Sequence, residues 1–275
     1  MNEQDIREAI GVAVESTLVQ PAPNAASPWA TLVEADGTTL YQGCSGKTGE
    51  GQVIDWDTLF DLGTLSELFT LTAFLKMIDE GRLWLDTPVS VLLPELPDTM
   101  RFLDLLTHRS GLAPTTNFGR LPNPEQRLQS LETLAPETPP DRLTVPRYSP
   151  YDFMLIGLAL EALTDLPLEI ALAQVLFQPL GLAATFLPLP LHAAVVTPNS
   201  PRREPFNADA RALNHVSGHN GLFATAMDIL KVARLYLPVP PRDNPYADAG
   251  FLSGPVAQEA LKEHLPGQGF GWVLR

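Results

Sequence analysis

With 45% hydrophobic residues over 275 positions, the chain carries enough apolar material for one large core or two smaller ones, and too little charge for disorder. Its 32 acidic against 18 basic residues give a net charge of -14, which repels phosphate backbones and anionic lipid and argues against nucleic-acid and membrane partners. The first residues, MNEQDIREAI, show no basic segment followed by an apolar one, no run is long enough to span a bilayer, and the single Cys44 cannot form an internal disulfide. The expectation is a cytoplasmic protein without redox chemistry.

From Asp5 to Leu18, the residues Ile6, Ile10, Ala13, Thr17 and Leu18 fall near one face at helical spacing, and Pro21 and Pro23 then stop the helix. PWATLVEADGTTLYQG alternates apolar and polar residues on both sides of Asp36-Gly37, which predicts a two-stranded hairpin. Leu65 to Ile78 is apolar nearly all round, through Leu68, Phe69, Leu71, Phe74, Leu75 and Met77, until Gly81. That pattern predicts a buried central helix. Between Pro114 and Pro146 periodicity is weak and prolines are frequent, as in a long loop framing a site. Further helices are predicted at Tyr151 to Thr164, Leu168 to Phe177 and Ala226 to Leu237, the last opened by a capping box, Thr225-Ala-Met-Asp228. LPVPPRDNP reads as a breaker within one unit, and no internal repeat occurs. Strands first and helices after predict an α+β fold.

Four segments, in order and with matching spacing, resemble the serine β-lactamase-related family of class C β-lactamases, D-alanyl-D-alanine peptidases and related esterases. They are DTLFDLGTLSELFTLTAFLKMIDEGRLWLDTPVSVLLPEL, FLDLLTHRSGL, YSPYDFMLIGLALEALTDLPLEIALAQVLFQPLGL and GHNGLFATAMDILKVARLYL, covering the chain from about Thr58 onward. The resemblance implies a β-lactamase/transpeptidase-like fold in a single domain over 1–275. Its N-terminal helix and hairpin would occupy 1–63, a mostly helical lobe 64–250, and the start of the return to an antiparallel sheet lobe 251–275.

In that family an S-x-x-K motif opens the central helix, the serine being acylated and the lysine helping to remove its proton. The matching positions here are Thr64 and Glu67. Threonine keeps a hydroxyl but adds a methyl that crowds the attack, and glutamate reverses the charge where an oxyanion needs positive potential. Thr64-x-x-Glu67 ahead of an apolar run also spells a capping box, and the sequence favours that reading. The family's Y-x-N motif, a proton-shuttling phenol and a substrate-orienting amide, reads Tyr148-Ser149-Pro150, so proline takes the asparagine's position and offers no donor. No K-T-G or H-x-G follows the GFGW segment, since the sequence ends in GFGWVLR at Arg275. The expectation is therefore a sheet lobe incomplete over these residues, with an open hairpin edge and self-association as its consequence.

Other patterns carry less. Lys47-Thr48-Gly49 spells K-T-G but precedes the central helix, and YQGCSGKT has Tyr41 where a phosphate loop needs its first glycine. His215 and His219 have zinc-like spacing, but HVSGHNG is a glycine loop without a cysteine or carboxylate set, so no metal and no cofactor are expected. His219 and Asn220 are kept as candidate binding residues. His108 and Ser110, in THRSGL, match a family turn that is mainly structural. Three functions fit: a catalytically inactive member with a small-molecule or peptide ligand in a relic cleft, a hydrolase attacking through Thr64 with Tyr148 or Glu67 as base, and an interaction protein pairing through an open sheet edge. The first is favoured. An open pocket lined by Thr64 and Tyr148 would favour ligand binding, a filled one a structural role.

Overall fold

The computed structural model describes residues 3–18, 27–35, 38–116, 118–121, 123–198, 203–214, 216–237 and 251–272. Pro21, Pro23, the Asp36-Gly37 turn, His215 and most of LPVPPRDNP lie outside them, as does Arg275. The N-terminal helix forms as α1 (Glu3–Leu18), and the hairpin as β1 (Trp29–Ala35) and β2 (Thr38–Ser45). The strands run antiparallel with Trp29 opposite Ser45 and Val33 opposite Tyr41, and the register slips between Val33 and Glu34. That slip is a bulge, which twists the ribbon.

Helices pack against both strands of the hairpin. α1 lies on β2, where the Arg7 guanidinium donates to the Thr39 carbonyl at 2.6 Å. From the other end of the chain, α9 (Ala226–Arg234) packs against β1 and joins it through the Arg234–Glu34 ion pair. Strand side chains are accordingly half-buried along most of β1. The segment YQGCS is part of β2, so it forms no phosphate loop. Thr48 of the K-T-G triplet accepts from the amides of Glu50 and Gln52 and closes a turn.

A second sheet was not legible in the sequence. Its order is β4-β3-β5, with β3 (Leu59–Asp61) parallel to β4 (Val195–Val196) and antiparallel to β5 (Phe223–Ala224). These strands are two or three residues long and carry no alternation to detect. Their effect is positional: β3 delivers the chain to the start of the central helix beside the loop that precedes β5.

The central helix α2 (Ser66–Asp79) is buried on all sides, as its composition requires. Phe69 and Phe74 are fully enclosed, each stabilising the fold by roughly 2 to 3 kcal/mol. Its two threonines are satisfied: Thr70 donates to the Gly218 carbonyl at 2.7 Å, and Thr72 lies 2.8 Å from the Tyr236 hydroxyl. Against α2 pack α5 (Pro150–Thr164), α6 (Leu168–Leu172) and the π-helical turn Ala173–Phe177 that leads to α7 (Gln178–Leu180). α3 (Phe102–Leu106) and α4 (Pro124–Glu132) flank α5, and α8 (Ala208–Ala212) precedes the loop to β5.

One expectation needs correction. The stretch from Pro114 to Pro146 is not loop alone, because Asn123 caps α4 by accepting from the Gln126 amide at 2.9 Å, with Pro124 in the first turn. Among the described residues, 251–272 add no strand to the β1–β2 sheet. They form α10 (Gly254–Leu261) and a turn that seats Phe270 in the helical core, where the Gly271 amide donates to the Leu106 carbonyl.

Candidate functional site

The chain enters α2 through a short 3-10 turn, Gly63–Leu65, held from both sides. Asp61 accepts from the Gly63 amide at 3.1 Å and from the Phe206 amide at 2.6 Å, and the Leu62 amide donates to the Leu222 carbonyl. Gly63 has φ +52°, a turn that a side chain would strain. Thr64 is thereby presented on the surface, exposed, with no hydrogen-bond partner for its hydroxyl among the described residues.

The expected Thr64–Glu67 capping box does not form. Leu65 is the cap residue of α2, and neither it nor the cap of the preceding turn makes a side-chain bond to the helix. The physical reason is backbone shape: a capping residue needs extended angles, as Thr225 has at φ -83° and ψ 162°, whereas Leu62 and Leu65 on either side of Thr64 are already helical. Thr64→Ala is therefore expected to shift stability by no more than about 0.5 kcal/mol in a urea titration, against about 1 kcal/mol for a lost cap. A full 1 kcal/mol loss would reinstate the box.

Glu67 instead turns into a cavity. Tyr148 donates to its Oε1 at 2.8 Å across 81 residues of sequence. The cavity, about 410 Å³, is lined by Thr64, Leu65, Glu67, His108, Tyr148 and Gln268 among others. Thr64, Glu67 and Tyr148 thus share one open pocket, while Pro150 stands at the start of α5 behind it, with Ser149 capping the helix and accepting from the Tyr151 amide at 3.3 Å. Ser66 is 2% exposed and accepts from the Leu222 amide, so it is no substitute nucleophile.

His108, treated as structural in the sequence, also faces this cavity. It sits just past α3 in the left-handed region, φ +52°, an unusual conformation for a residue with a side chain. Its Nδ1 lies 2.8 Å from Asp152 Oδ2, and Ser110 donates to the other oxygen of the same carboxylate at 2.5 Å. No local spacing announces this trio, because Asp152 is 44 residues from His108.

Electrostatics follow from burial. Glu67 is raised from its ordinary 4.5 to about 7 by burial, with the His108 charge and the Tyr148 hydrogen bond pulling it back. The Tyr148 phenol is raised by desolvation and by the charge of Glu67 beside it, which removes it as a base at neutral pH. Burial alone would lower His108, but the hydrogen bond and charge of Asp152 raise it on balance.

The two glycine-loop candidates separate. Asn220 lines an adjoining cavity of about 340 Å³ with Asp61, Gly63, Thr64 and Phe206, and its buried Nδ2 has no partner among the described residues. Thr64 borders both cavities. His219 lines neither; burial pushes it down to about 3, its Nδ1 is 2.6 Å from the Ser217 hydroxyl, and it is a core imidazole. His215, the other histidine of that zinc-like spacing, lies outside the described residues. Among the described residues no three His, Cys, Asp or Glu side chains are grouped to hold a metal, and no helix is long and apolar enough to cross a membrane.

A buried helix whose first turn opens onto a cavity, with a tyrosine reaching in from the loop before a second helix, defines the β-lactamase and transpeptidase-like class of hydrolase fold. The chain belongs to the Beta-lactamase family, whose model matches residues 23–275. It is 28% identical over 277 residues to Penicillin-binding protein 4 of Amycolatopsis lactamdurans, covering 89% of this chain and 70% of that protein. It is 27% identical to a putative D-alanyl-D-alanine carboxypeptidase of Escherichia coli, covering 73% of this chain and 54% of the relative, so it spans about half of that protein's length. EstCE1, a hydrolase with promiscuous acyltransferase activity, superposes with a TM-score of 0.77 at 21% identity, over 97% of this chain and 83% of its own. A class C beta-lactamase mutant superposes with a TM-score of 0.71 at 20% identity, over 94% and 70%. At these identities the structural likeness speaks for the fold alone.

Proposed function

We propose that this cavity binds a small molecule and does not hydrolyse it. The observation that carries the reading is the Tyr148–Glu67 hydrogen bond in an open cavity: a carboxyl group, held by the phenol, stands where the family resemblance implies a lysine. Acyl transfer develops negative charge, and a carboxylate beside it opposes that charge. The described lining residues include no lysine or arginine to offset it. Losing one oxyanion donor or one general base typically costs a hundredfold or more, and such losses do not simply add.

The relatives' names, penicillin-binding protein and D-alanyl-D-alanine carboxypeptidase, make β-lactams and short D-peptides the first probes. Turnover of nitrocefin and of p-nitrophenyl esters is expected to stay at background. A second reading has one observation in its favour: the Glu67 carboxyl, raised to about 7, is in the range of a general base for the exposed Thr64 hydroxyl. Saturable turnover, lost in Thr64→Ala and falling below a pH of about 7 as Glu67 takes up its proton, would establish that hydrolase and overturn the binding-only reading.

A further inference from the structure

The Glu67 side chain is left electrically incomplete. Only 9% of the residue is exposed, and a carboxylate so enclosed normally meets a cationic partner. Here Oε1 accepts from Tyr148, while Oε2 has no partner among the described residues and retains solvent contact through the cavity. The groups that act on it electrostatically are His108 from the turn after α3, Tyr148 from the loop before α5 and Asp152 from α5. His108 is already bound to Asp152 at 2.8 Å, so one imidazole is shared between two carboxyl groups and compensates Glu67 only in part.

The rest of the wall is mixed, with Thr64 and Gln268 polar and with Leu65, Leu68, Pro146 and the Tyr148 ring supplying an apolar and aromatic side. Leu65 is 50% exposed and Tyr148 43% exposed at the mouth, with Leu68 and Pro146 between. A volume of about 410 Å³ suits a small molecule. An aromatic face beside a carboxylate is a good environment for an ammonium group, and the net charge of -14 favours the approach of cations.

We propose that the cavity takes a small cationic ligand, an ammonium group on an apolar or aromatic body, with the charge met by the open Glu67 oxygen and the body lying along Leu65, Leu68 and Tyr148. This inference rests on the ligand-binding reading and names the chemical class of its occupant. The ammonium adds the positive charge that the single shared imidazole does not supply in full. The Tyr148 hydroxyl continues to hold the other oxygen, so the carboxylate is oriented before the ligand arrives.

The test compares three probes of one size by titration followed with NMR: benzylamine, benzyl alcohol and benzoate. At pH 8 benzylamine is expected to bind at least about tenfold tighter than benzyl alcohol, and benzoate weakest of the three. Protonation of Glu67 competes with the amine, so benzylamine affinity is expected to fall about tenfold from pH 8 to pH 6 while that of the alcohol does not change. Glu67→Gln, which keeps an acceptor for Tyr148, is expected to abolish the preference for the amine and to leave alcohol binding intact. An alcohol that binds as well as the amine, or a preference that survives Glu67→Gln, overturns the cationic ligand while leaving the cavity a binding site. If none of the three perturbs Thr64, Glu67 or Tyr148, the ligand-binding reading falls with it.

Discussion

Glu67→Gln is expected to stabilise the protein by roughly 3 kcal/mol at pH 8 and to change little at pH 4. The sign follows from the carboxyl's displacement, from 4.5 to about 7, with burial as its main cause. Between those two values the folded chain holds a proton that the unfolded chain has released, so stability falls as pH rises through the window. Above it, the folded state carries the full penalty of a buried charge, and below it both states are neutral. Glutamine accepts the Tyr148 hydroxyl without ionising, which removes the penalty and retains the bond. Urea unfolding of both proteins at pH 4 and pH 8 reads the difference. Equal shifts at both values, or a loss of stability at pH 8, would show that Glu67 is ionised without cost in the cavity.

Gly218→Ala is expected to destabilise by about 3 kcal/mol. An ideal Cβ on Gly218 would stand 2.0 Å from the Phe153 carbonyl oxygen and 3.1 Å from the Gly157 Cα. Both neighbours are backbone of α5, so no side-chain rotation relieves the clash. The same glycine carbonyl accepts from Thr70 of α2, which locks the loop bearing Asn220 between two helices. Gly254→Ala serves as the control, because nothing lies within 4 Å of its Cβ position at the start of α10. Comparable thermal shifts for the two substitutions would contradict the close packing of α5 on this loop.

The sequence was most informative where one physical cause dominates. Burial on every side made α2 legible, and the local bond between Thr225 and Asp228 made the start of α9 legible, since Thr225 accepts from the Asp228 amide at 3.2 Å. The Thr64 box has the same spelling and fails. Residue spacing records which groups are available, but the 3-10 turn imposed by β3 and the Leu222 carbonyl decides the backbone angles, and those contacts are long-range. The site divides likewise. Thr64, Glu67 and Tyr148 were found by resemblance and line one cavity, whereas the role of His108 depends on Asp152, and Asn220 rather than His219 lines the second cavity. The helix at Pro124 carried a readable signal, an asparagine followed by proline, that the surrounding prolines obscured.

Acylation is the step on which binding and hydrolysis part, and the intact mass of the protein after incubation with benzylpenicillin or with a p-nitrophenyl ester reads it without depending on turnover. A cavity in which Glu67 and Tyr148 occupy the place of the proton-transfer machinery leaves the mass unchanged at every time point. An increase equal to one acyl group, mapping to Thr64 and absent from Thr64→Ala, would show that the hydroxyl is an active nucleophile and would contradict the account.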